Sequence, residues 1–331
     1  MSGKKGRKRR PRREARPARA AAAEPEPEDG SAGTGRRPGP FGGVLFGAGG
    51  SPLPPVMRSL GRGFLAVAAQ PALLAGVLLL VLLGWLGLLA LGFEGAPSRM
   101  VDALAMAPIS TYFDLGTGAS LYGIGTSFLL FTLAALAVRT VLYSVLAGVI
   151  VEALEDGRVS VAGLLLGVRA LPTVLIVQAF SFSIIVFGNI VFPALGPGIG
   201  FLGFVASLVA GLFFLGFAPT VAVREGRTAM EAIRRSGRAA MMPGGRHLLL
   251  CALYFFLALP IVVGFSPGGT EITANPTLGT WVFVFAVNVA HVGFMAAFAY
   301  RWIVAEPSVP EQPIRRRRPA QAAAARGQSR R

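Results

Sequence analysis

Six stretches of this chain are apolar over lengths that match a bilayer. They run over residues 71–93 (PALLAGVLLLVLLGWLGLLALGF), 127–154, 172–192, 199–223, 247–265 and 280–304. A transmembrane helix needs about 20 such residues. In lipid every backbone amide and carbonyl must be satisfied internally, which leaves helices and closed barrels. These runs are continuous, do not alternate, and are twice as long as a barrel strand. The pattern predicts an all-α integral membrane protein with six transmembrane helices, joined in part by cytoplasmic amphipathic helices.

The charge sits elsewhere. Only 15% of residues are charged, yet the net charge is +16; a soluble domain carries about 25% charged residues. The basic residues crowd into the two ends. Residues 1–56 open with KKGRKRRPRREARPARA and pass into Gly/Pro-rich sequence, and 305–331 contain RRRRPAQAAAARGQSRR. Dense like charge followed by Pro and Gly buries too little apolar area to fold. Both are expected to be disordered basic tails flanking a transmembrane domain at 57–304. The first apolar run starts too late and is too long for a secretory signal.

Lys and Arg in the connections set orientation. Connection two-to-three carries Arg158 and Arg169. Connection four-to-five carries Arg224, Arg227, Arg234, Arg235, Arg238 and Arg246. Connections three-to-four and five-to-six carry no Lys or Arg, and one-to-two has Arg99 beside three acids. Six spans place every basic segment on one side, whereas five or seven break the rule. The expectation is a multi-pass plasma-membrane protein with both termini cytoplasmic. Trp281, Tyr300, Arg301 and Trp302 at the ends of the last span read as interfacial anchors.

The connection VREGRTAMEAIRRSGRAAMMPGGRH, 223–247, contains a capping box, Thr228 with Glu231 three residues on. It predicts an interfacial helix whose arginines meet anionic headgroups, or a docking surface for a cytoplasmic or membrane protein partner. Nothing in it is spaced to read bases, which disfavours nucleic acid. It also has an echo. EDGRVSVAGLLLGVRALP, 155–172, aligns without gaps on REGRTAMEAIRRSGRAAM, 224–241, matching Gly157 to Gly226, Arg158 to Arg227 and Arg169 to Arg238. A fainter copy, RSLGRGFLAVAAQP, precedes the first span. Three hairpins, each led in by an amphipathic segment, are expected. Parallel repeats of this kind occur in transporter folds.

The same connection carries a resemblance. Pro219, then Glu225 and Gly226, then EAIRRS from Glu231 to Ser236, then a further span, resembles the join in a large bacterial group of six-span proteins. That group is similar to the membrane domain attached to some glycerophosphoryl diester phosphodiesterases. The match is close at this join and loose over spans three to six. No phosphodiesterase domain flanks the spans in this sequence, so the resemblance implies the membrane architecture and not the hydrolase activity.

Candidate chemistry is sparse. One cysteine and two histidines allow no disulfide framework and no Cys/His metal cluster, and no cofactor is expected. Cys251 lies in an apolar run and reads as a small apolar residue. GIGFLG, 198–203, satisfies G-x-G-x-x-G but opens a transmembrane helix instead of following a strand. Gln178, Ser181, Ser183 and Asn189 on span three read as polar glue between helices. Arg139 is the exception. It sits roughly 18 Å below the outer end of span two, where a charge costs about 2.5–3.5 kcal/mol. Asn288 and His291 lie one turn apart on span six at a similar depth. Together the three outline a candidate intramembrane polar site. Acid and base residues for catalysis are missing at membrane depth. The sequence therefore points to a non-enzymatic membrane protein that organises or assists partners or lipids. The alternative is a transporter or lipid-handling permease with a polar cavity near Arg139.

Overall fold

The computed structural model describes residues 53–90, 104–109, 111, 125–242, 246–265 and 278–309. Almost all of residues 1–56 and 305–331, the two expected tails, lie outside them. The described helices are α1 (Val56–Ala68), α2 (Pro71–Ala90), α3 (Thr126–Asp156), α4 (Val161–Val191), α5 (Pro197–Leu215), α6 (Ala218–Glu225), α7 (Ala229–Ala240), α8 (His247–Phe265) and α9 (Leu278–Ala305). No strand occurs among the described residues. Four helices, three of which run on into or across a short break, are long and apolar enough to cross a bilayer. They become five if α1 and α2, bent by 80° at their junction, form one span. The apolar stretch 247–257 of α8 is shorter than a span by itself.

Sequence dictates the ends that meet on the arginine-bearing face. Gly157 closes α3 and Gly226 closes α6, with φ of 67° and 60°. Both adopt the left-handed conformation that glycine takes at little steric cost. A hydroxyl then starts the next helix. Ser160 accepts from the Ala162 amide at 3.1 Å, and Thr228 accepts from the Glu231 amide at 3.4 Å, as the capping box requires. The bend between α1 and α2 falls at Ala69–Gln70, because Pro71 cannot continue the amide ladder and instead begins a new helix. The Gln70 side chain donates to the Gly157 carbonyl at 2.9 Å, tying this bend to the α3–α4 turn.

Helix α4 departs from expectation. Residues 155–172 were expected to be a connection and 172–192 a span, but α4 is continuous from Val161 to Val191 with Pro172 inside it. The proline removes one intrahelical bond. What keeps the first turns in line is a close backbone approach to α3. A Cβ on Gly148 would overlap the Gly163 carbonyl and the Gly167 amide, and one on Gly167 would overlap the Ser144 carbonyl. Ser144 Oγ donates to the Gly167 carbonyl at 2.7 Å. Glu152, buried in α3, completes the join by accepting from the Ser160 amide at 2.9 Å and the Gly163 amide at 3.0 Å. A carboxylate at a helix start satisfies orphan amides and meets the positive end of the dipole.

Span four is broken. α5 ends at Leu215 and α6 begins at Ala218, with Pro219 in its first turn. The freed backbone groups are taken up by side chains. Ser236 of α7 donates to the Phe214 carbonyl at 2.7 Å and accepts from the Phe217 amide at 3.2 Å. His247 Nε2 bonds the Phe213 carbonyl at 3.1 Å. Around this join Phe217 stacks on His247 at 4.4 Å, and Phe298 and Trp302 of α9 close the cluster. Beside it, Arg224 at the end of α6 pairs with Glu155 of α3 and with Glu306 just past α9. The ends of three spans thus converge on one guanidinium.

Candidate polar sites of the bundle

Asn288 and His291 are fully buried on one face of α9. Their partners come from a segment that the sequence reading treated as an external connection. Residues 104–109 enter the bundle and are buried. Asn288 Oδ1 accepts from the Leu104 amide at 3.0 Å, and its Nδ2 donates to the Val284 carbonyl at 2.9 Å. The Met106 amide donates to the Tyr254 hydroxyl at 2.9 Å, and that hydroxyl lies 3.2 Å from His291 Nδ1. His291 Nε2 has no hydrogen-bond partner among the described residues. Arg139 is half-buried and near enough to act electrostatically on His291. Asn288 and His291 therefore belong to one neighbourhood, and Tyr254 with segment 104–109 are its further members. The available signal was the apolar run ALAMAPI, 103–109, inside a connection otherwise rich in acids and Gly.

The arginine-bearing end divides into two kinds. Arg158, Arg169 and Arg234 are exposed, as are Arg58 and Arg62 of α1. They share their faces with exposed bulky side chains: Met57 and Leu65 on α1, Val161, Leu165 and Val168 on α4, and Met230 and Met241 at α7. The opposite faces of these segments are small residues packed on protein: Ser59 and Gly63, Gly163 and Gly167, Ala232 and Ser236. Arg227 and Arg235 instead pair with Glu225 at 3.2 and 2.7 Å, and Arg235 also lies 5.5 Å over the Trp302 ring. Arg238 is half-buried. Trp302 and Arg301, expected at the lipid interface, are both 0% exposed. The difference arises because α1 and α7 cover the end of α9, so its terminal turns are interior.

Gln178 and Ser181 are buried, and Ser181 lies close against Gly211 of α5. Together with Tyr143 they line a cavity of about 20 Å³ beside the break in span four. Cys251 is buried with its sulfur 3.8 Å from His247 Nε2. No group of three metal-ligating side chains occurs among the described residues. The G-x-G-x-x-G glycines lie in α5, where Gly200 and Gly203 pack against Pro193 and Phe192.

These features define an all-helical protein with several bilayer-length apolar helices and polar groups inserted between them. Compared with known proteins, the chain matches no family model, no curated protein and no solved structure.

Proposed function

We propose that this is a non-enzymatic, six-span plasma-membrane protein built from three hairpins, with both termini cytoplasmic, that holds anionic lipid and organises membrane partners at the cytoplasmic leaflet. In this reading α1 with α2, α4, and α7 with α8 each combine a lead-in segment and a span. The similarity to six-span membrane domains found with some phosphodiesterases extends to architecture alone. The observation that carries the reading is the paired character of the three lead-in segments. Each turns small residues to protein, and bulky apolar side chains with exposed arginines outward. That is the composition of a surface at headgroup depth, where each Lys or Arg contributes about 1 kcal/mol with anionic lipid.

The test is lipid co-purification. The protein is extracted into nanodiscs from membranes of mixed phosphatidylglycerol and phosphatidylethanolamine, and its retained lipid is weighed by native mass spectrometry. Enrichment of phosphatidylglycerol, lost in the triple variant Arg158→Gln, Arg169→Gln and Arg234→Gln, is expected. Retention in membrane proportions would overturn the reading.

A transporter or permease is the second reading. It is favoured by Arg139 beside His291 within the spans and by the broken helix of span four, a feature of transporter sites. Arg139→Leu would then abolish substrate flux while leaving the protein folded.

A further inference from the structure

The break in span four creates a hydrogen-bonding problem that the side chains of α7 and α8 solve only in part. The Phe213 and Phe214 carbonyls receive donors from His247 and Ser236. The next carbonyl, Leu215, has Pro219 four residues on, which offers no N–H. Leu215, Gly216 and Pro219 form one wall of the 20 Å³ cavity. Facing them are Tyr143 of α3 and Gln178 and Ser181 of α4. They are 6%, 4% and 8% exposed, and none forms a hydrogen bond to another described residue. Met106 of the inserted segment closes the space.

Three polar side chains that line one cavity keep their hydrogen-bonding capacity only if something in the cavity meets it, because a polar group left unmet costs free energy. Single α-helical packing would place such groups against carbonyls of a neighbouring helix, but here a cavity separates them. We infer that the cavity is a hydration site, in which a single water molecule bridges Tyr143, Gln178 and Ser181 and donates to the Leu215 carbonyl.

Size and chemistry select the occupant. About 10–15 Å³ suffices for one water, which needs two to four polar partners, and both conditions are met. No charged side chain lines the cavity. A divalent cation finds no carboxylate, a monovalent cation would sit one helical turn from Arg139, and an anion finds no cationic wall. Water both donates and accepts, as do the hydroxyls and the amide that face it. Ordered water is one of the means by which broken helices within a membrane re-satisfy their backbone. The site therefore couples the span-four break to α3, α4 and the inserted segment. This inference is independent of what the protein does at its arginine-bearing end.

The test is radiolytic hydroxyl footprinting of the full chain in nanodiscs, where bound internal water oxidises adjacent side chains that bulk solvent does not reach. Tyr143 is expected to be labelled several-fold faster than Phe255, a ring of matching burial (5% against 6% exposed) that does not line this cavity. The double variant Gln178→Leu with Ser181→Ala is expected to lose that fast labelling and to melt at a lower temperature. Labelling of Tyr143 no faster than Phe255 in the unaltered protein would overturn the site. So would a double variant that melts higher, because apolar filling stabilises a dry cavity. If the double variant fails to fold, the labelling of the unaltered protein decides alone.

Discussion

The α3–α4 junction and the α6–α7 junction share a gap-free register, with Gly157, Arg158, Arg169 and Ala170 matching Gly226, Arg227, Arg238 and Ala239, and reach different structures. Both close on a left-handed glycine, Gly157 or Gly226, restart on a hydroxyl, and tie the new helix to the old span through a serine. In the gap-free alignment, Gly163 corresponds to Ala232 and Gly167 to Ser236. At the first junction the contact is backbone on backbone, and α4 runs straight on through Pro172. At the second, Phe217 stacks on His247. α7 stops at Ala240 and α8 starts at His247, and the sequence between them holds Pro243, Gly244 and Gly245, the residues least able to continue a helix. The first crossing is held by backbone contact and the second by side chains, and only at the first do lead-in segment and span form one helix.

Substitutions at the crossings should break or sharpen that contrast. The largest effect is expected from Gly167→Val, whose side chain would overlap the Ser144 carbonyl. Overpacking of this sort costs about 3 kcal/mol, read as a lowered thermal midpoint in nanodiscs. An unchanged midpoint would remove backbone contact as the cause of α4 continuity. At the second junction, Ser236→Ala leaves the Phe217 amide and the Phe214 carbonyl without their partner. The loss should be about 2 kcal/mol, measured in the same way, and a smaller loss than at Gly167 is required if the two crossings differ as described. Pro172→Ala should have the smallest effect, a rise of about 1 kcal/mol in stability from the restored helical bond and better propensity. A large rise would mean that the proline strains α4 more than its packing shows.

Much of the architecture was legible because long apolar runs and their flanking arginines are one-dimensional signals. The apolar runs, the Thr228 cap and the correspondence of Gly157 with Gly226 needed no knowledge of packing. What was illegible depends on neighbours in space. Pro172 signals a helix boundary until Gly148 and Gly167 are seen in contact. Arg301 and Trp302 have the composition of an interface, and only the cover provided by other helices makes them interior. The burial of 104–109 and its bonds to Asn288 and Tyr254 follow from an insertion that no periodicity encodes. Gln178 and Ser181 read as polar residues between helices, but sequence cannot show that a cavity lies beside them.

The central claim is that the exposed faces of α1, α4 and α7 form one cytoplasmic surface. Cysteine accessibility tests it most directly, in a Cys251→Ala background, using Arg62→Cys, Arg158→Cys and Arg234→Cys as three separate probes. In intact cells a membrane-impermeant maleimide should label none of the three, while inverted vesicles should label all. Leu195→Cys, beyond the far end of α4, should behave in the opposite way. Labelling of any one arginine position from outside intact cells would contradict the shared face, and with it the six-span arrangement.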